Sequence, residues 1–140
     1  MNRPKLVIVL GMVVGGVACV QTNAALLNPG VSKPAICPNG VAVFTTPDKV
    51  PGKYEEVAIL NSHAGSSTDE AKIIESMREK AAEVGANGII MGGIEDPGTT
   101  DKVIAAVFKT QTERKGKSMA IFLPSDSVRV GQACAGTVNK

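Results

Sequence analysis

The one histidine, His63, lies in the run Asn61-Ser-His-Ala-Gly-Ser-Ser67, with Ser62, Ser66 and Ser67 beside it. Hydroxyls next to an imidazole are the raw material of a hydrolytic triad, which needs base, nucleophile and orienting group held together. The Gly-x-Ser-x-Gly turn that would present a serine is missing, so the run reads as a solvated connection. Glu95, Asp96 and Asp101 could gather around a cation, but the spacing of a calcium loop is not there, and a turn built on Pro97-Gly98 explains them. Glu55 and Glu56 are neighbours on a strand and so face opposite sides, which rules them out as a general acid/base pair. Gly92-Gly93 lacks the Lys-Ser/Thr of a phosphate loop. Arg114, Lys115 and Lys117 read as the basic tip of a hairpin that would meet lipid headgroups, an acidic partner or only water. No catalytic set, cofactor motif or metal-ligand spacing emerges, and the reading is of a protein that is not an enzyme.

The three cysteines carry more. Cys19 closes an uncharged apolar run, Leu6 to Val17, which follows the positive start Met1-Asn-Arg-Pro-Lys5. That order is the order of a secretory signal, and the run falls short of the ~20 apolar residues that span a bilayer comfortably. An uncleaved anchor would have to enlist Ala24 to Leu27 beyond a polar break. Gly16-Val-Ala-Cys19 resembles a lipoprotein processing site, at which the cysteine is acylated and becomes the mature amino terminus. The rival is ordinary cleavage after Ala24 or Ala25. Val20, where an inner-membrane lipoprotein would carry Asp, favours the outer membrane, facing the periplasm or the surface. Export to an oxidising compartment leaves Cys37 and Cys134 as a disulfide candidate. Both staying reduced, or Cys37 pairing between chains, are the alternatives.

Of fifteen basic residues, two (Arg3 and Lys5) lie in the signal segment, and thirteen remain against thirteen acidic ones. The mature chain is thus neutral, and its aromatic residues are only Tyr54, Phe44, Phe108 and Phe122. Neither a basic surface nor a base-stacking platform is available, which sets nucleic acid aside.

The elements that would position these residues follow from pattern. Residues 1–18 are the signal segment (1–24 with ordinary cleavage), 19–36 a tether rich in turn residues, and 37–140 one domain. Strands are expected at Gly40–Phe44, Glu55–Leu60, Gly88–Met91, Val103–Phe108 and Met119–Leu123, with a hairpin through Thr110–Ser118 and an edge strand near Ala133–Val138. Ser67-Thr-Asp-Glu70 has the form of a capping box. Ile73, Ile74, Met77, Ala81 and Val84 then make one apolar stripe of a helix over about 68–84, closed by Gly85. The fold class is α+β: a small mixed sheet with a β-α-β-β core and one principal helix, its strand-helix-strand crossover right-handed.

The strands do not alternate cleanly, so both sheet faces should be covered, whereas one helix covers only one. Ile104, Phe108 and Ile121 therefore stand as a candidate interaction face for another protein or a second copy.

The segment Met77-Arg-Glu-Lys-Ala-Ala-Glu-Val-Gly-Ala-Asn-Gly-Ile-Ile-Met91, with the strand Tyr54–Leu60 before it, resembles the RcsF-like and YbjQ-like small α/β domains of exported bacterial lipoproteins. The likeness covers roughly residues 40–124. It implies a non-enzymatic, protein-binding accessory or envelope-stress sensor domain, held to the membrane by its lipid and working with an envelope protein partner. A small-ligand or metal-binding oligomeric domain in the periplasm is the alternative. RcsF itself carries two disulfides and a long proline-rich linker, whereas here Cys37 and Cys134 allow only one bridge.

Overall fold

The structure, a computed structural model, describes residues 19–98 and 112–136. Among these described residues five strands form one sheet: β1 (Gln21–Leu26), β2 (Ala42–Phe44), β3 (Glu55–Gly65), β4 (Gly88–Glu95) and β5 (Glu113–Phe122), in the order β1-β3-β5-β4-β2. Helix α1 (Glu70–Glu83) joins β3 to β4, and α2 (Ser127–Ala135) follows β5. β5 runs antiparallel to both β3 and β4 and lies between them, so β3 and β4 are parallel to each other, as the strand-helix-strand reading requires. β2 joins β4 in parallel and β1 joins β3 in antiparallel. The α+β class with one principal helix is what the molecule adopts.

Helix α1 forms where the apolar stripe predicts it. Its cap is Asp69, whose carboxylate accepts from the Ala71 N–H at 3.3 Å, two residues on from the expected Ser67. Gly85 closes it at φ +75°. Ile73, Met77 and Ala81 are fully buried against Ala58, Leu60, Ile89 and Ala120 of the sheet. Burying each of the two larger side chains stabilises the domain by about 1.5–3 kcal/mol. Where Met77 crosses β5 the strand carries Gly116, and a Cβ there would stand 2.6 Å from the Met77 methyl.

On the opposite face the chain covers the end of the sheet around Ile121. Val50 and Tyr54, from the segment between β2 and β3, pack with Phe44 over Ile90, Ile121 and Leu123. Ile121 is fully buried, so its place on the candidate interaction face is a place in the core. Ile104 and Phe108, with the strand expected over Val103–Phe108, lie outside the described residues.

Three expectations change. Residues 21–26, read as part of the tether, pair with β3 along their whole length. Residues 113–118, read as part of a hairpin, belong to β5, paired with β3 throughout and with β4 from Lys115 onward. Their inward positions Gly116 and Ser118 are small and polar, so the strand carries no apolar signal, yet small size is what contact with α1 demands. The tail near Ala133 is helical rather than an edge strand: Val130 and Cys134, one turn apart, both turn toward Gly40.

Candidate functional site

At one rim of the sheet, the Gly85-Ala86-Asn87 turn, the start of β2, the end of β5 and α2 converge. Asn87 is 2% exposed. Its Nδ2 donates to the Leu123 carbonyl at 2.8 Å and its Oδ1 accepts from the Leu123 N–H at 2.7 Å. Its backbone N–H donates to Ile121 O at 3.1 Å, and its carbonyl accepts from Ala42 N at 3.0 Å and Arg129 Nη2 at 3.2 Å. Arg129 also reaches the Gly40 carbonyl at 3.0 Å and the Asp126 carboxylate. The Cys37–Cys134 disulfide, with its Cα atoms 5.6 Å apart, closes this rim covalently across 97 residues. In the sequence Asn87 stands only two residues after the helix-closing Gly85, a place where asparagine suits a tight turn. Its side-chain hydrogen bonds to Leu123, 36 positions away, leave no local signature.

Of the polar residues weighed for chemistry, Glu55 and Glu56 sit at this rim beside Phe122 and Ile121, the rest lie toward the other end of the sheet, and the fold keeps them apart. His63 is in β3, not in a loop. Ser62, adjacent on the strand, points to the α1 side, where its hydroxyl bonds Thr22 at 2.7 Å. His63 points to the opposite face, and its Nδ1 lies 3.5 Å from Glu113 Oε2, both side chains well exposed. Among the described residues there is no nucleophile-base contact. Asn61, His63, Gly92, Gly93, Glu95, Lys115 and Lys117 line an open hollow of about 250 Å³ on that face. Asp96 is held by Arg114, with Nε–Oδ1 at 2.7 Å, and Arg114 also donates to the Thr68 carbonyl at 2.7 Å. Asp101 lies outside the described residues. Among the described residues no three His, Cys, Asp or Glu side chains gather as a metal site. Glu55 is paired with Lys33 at 2.9 Å, and Lys33 also lies over the Phe122 ring at 4.2 Å. Gly92-Gly93 marks a bulge where the β4–β5 register shifts, with Gly93 at φ +114°.

The third feature is the amino-terminal strand. Cys19 is exposed, Val20 packs against the core, and β1 begins at Gln21. Thr22 ties the strand inward twice: its hydroxyl bonds Ser62 of β3 and Ser76 of α1, each at 2.7 Å. Beyond β1 the chain stays pinned. Leu27 donates to Val57 O at 2.9 Å and Ile36 to Ala82 O at 3.0 Å. Only Val20 separates Cys19 from the folded sheet. Among the described residues no helix is long and apolar enough to cross a membrane.

These elements define a small α+β domain, a five-stranded mixed sheet with one long helix packed on it and a disulfide closing one rim. No protein-family model matches the chain, and no curated protein matches it. Among solved structures, a Francisella virulence factor, FvfA, in an orthorhombic crystal form, is similar in fold, with a TM-score of 0.52 at 12% identity, over 72% of this chain and 96% of that one. At that identity the likeness is one of fold alone.

Proposed function

We propose that the chain is an exported lipoprotein, acylated at Cys19 and anchored in the outer membrane. Its domain serves as a non-enzymatic, protein-binding accessory or sensor module of the cell envelope. The observation that carries this is the position of β1. A mature chain that starts at Cys19 keeps the whole strand, from Gln21 to Leu26. Cleavage after Ala24 would remove Gln21–Ala24, strip the edge of β3 and take away the Thr22 hydroxyl from Ser62, which is 1% exposed. Losing the partner of a buried hydroxyl costs about 1–3 kcal/mol before any lost strand pairing is added. Keeping these ties supports a mature start at Cys19 over one at Ala25. The dispersal of His63, Ser62, Asp96 and Glu55 into separate pairs supports a binding role over a catalytic one.

The test is mass spectrometry of the protein extracted from envelope membranes. The expected mature start is Cys19 carrying acyl chains, and Cys19→Ala should move the protein out of the membrane fraction. A mature start at Ala25 without acyl mass overturns the reading. Crosslinking in the native envelope then identifies the protein partner.

A further inference from the structure

A strand at the edge of a sheet presents a row of unpaired N–H and C=O groups, and proteins commonly guard such a row with charge, proline or a bulge. The two edges here are treated differently. β2 is three residues long and is bracketed by turns that begin at Pro38 and Pro47. β1 is six residues long, pairs with β3 without a register shift, and contains no proline. No charged residue occurs from Cys19 to Ser32. Of the large apolar side chains exposed among the described residues, Leu26, Leu27 and Val31 all lie at the end of this strand and the turn after it, each 46–48% exposed.

The direction of each backbone group in β1 follows from one hydrogen bond. Leu27 N–H points to Val57 O of β3, and alternation then aims Gln21, Asn23 and Ala25 inward as well. The N–H and C=O of Thr22, Ala24 and Leu26 point away from the sheet. These outward residues form a set symmetrical about Ala24. We propose that β1 pairs antiparallel with β1 of a second copy of this chain, on a two-fold axis through Ala24, so that the two sheets become continuous. Thr22 of one copy then exchanges hydrogen bonds with Leu26 of the other, and Ala24 with Ala24, giving about six bonds in all.

A second copy fits better than a different protein because the row is its own complement. The same register matches every outward donor with an acceptor, the strand itself carries no charge to repel its copy, and the apolar end of each strand is covered by its partner. The proposal rests on a mature chain that retains β1, as a start at Cys19 provides. Lipid anchoring would confine the copies to a plane and raise their effective concentration.

The experiment uses the full-length protein in its own membranes. With Cys19 acylated and Cys37–Cys134 bridged, Ala24→Cys introduces a lone reactive thiol on the proposed axis, where paired Cα atoms stand ~5.5 Å apart, within reach of a disulfide. Mild oxidation should give a covalent dimer of twice the mass. Val128→Cys, exposed on α2, should stay monomeric under the same conditions. Ala24→Pro removes an outward N–H without touching the ladder to β3, so it should abolish dimerisation of the detergent-extracted protein in sedimentation while the folded spectrum and the native disulfide persist. Ala25→Pro, aimed inward, should destabilise the fold and marks what a structural defect looks like. A monomer in sedimentation, an Ala24→Cys dimer yield no higher than that of Val128→Cys, or an adduct with a different protein overturns the proposal. The mass of the mature chain, read from the same samples, separates these results from a failure of processing at Cys19.

Discussion

Asn87 shows how much one side chain can hold. Both of its amide atoms are spent on the backbone of Leu123, itself 1% exposed. Asn87→Ala leaves the buried Leu123 N–H without a partner and its carbonyl with the Asp126 N–H alone, and the expected loss is about 1–3 kcal/mol, read as a lower denaturant midpoint. Gly85, two residues earlier, is fixed for two reasons that can be separated. Its φ of +75° disfavours any side chain, and a Cβ there would lie 2.5 Å from Lys33 Cβ and 2.7 Å from Pro34 O. Gly52, at φ +93°, has nothing within 4 Å of such a Cβ. Gly52→Ala should therefore cost only the conformational term of about 1–2 kcal/mol, and Gly85→Ala clearly more. Equal thermal shifts for the two variants would mean that the chain over the Gly85 turn yields freely.

At the scale of the element, β1 joins the fold by backbone pairing and by the Thr22 hydroxyl rather than by large apolar side chains. Thr22→Val keeps the shape and deletes the bonds to Ser62 and Ser76. The expected loss is about 1–3 kcal/mol, with faster hydrogen exchange confined to β1 and the edge of β3. Exchange that instead rises equally across β4 and β5 would show β1 to be part of one cooperative unit with them. α2 is held by different means. It has no fully buried residue, and it stays on the rim through Arg129 and Cys134.

Over the whole molecule, the Cys37–Cys134 bridge ties the segment before β2 to α2 and so encloses most of the fold. In the chain-entropy account a loop of this length stabilises a domain by about 4–5 kcal/mol. The Cys37→Ser/Cys134→Ser double variant should unfold at a correspondingly lower urea concentration, and reductant should lower the midpoint of the native chain while leaving that of the variant unchanged. α2 should detach first, since the disulfide and Arg129 are its main ties. This dependence suits a protein that works where thiols are oxidised.

Helix α1, its closing glycine and the strands that flank it were legible in the sequence, because a 3.6-residue apolar period and a left-handed glycine are local signals. So was the disulfide, since once Cys19 is assigned to an anchor the other two cysteines have each other. The tertiary structure alone decided three matters. It turned Gln21–Leu26 from tether into strand, because the pairing of that run with β3 depends on residues some forty positions away. It placed the basic stretch at 114–117 in the middle of the sheet, where glycine and serine face α1 and the lysines face outward. It made Ile121 core, because the segment carrying Val50 and Tyr54 folds over it. In each case the deciding partner is remote along the chain, and composition carries no record of which distant residues will meet.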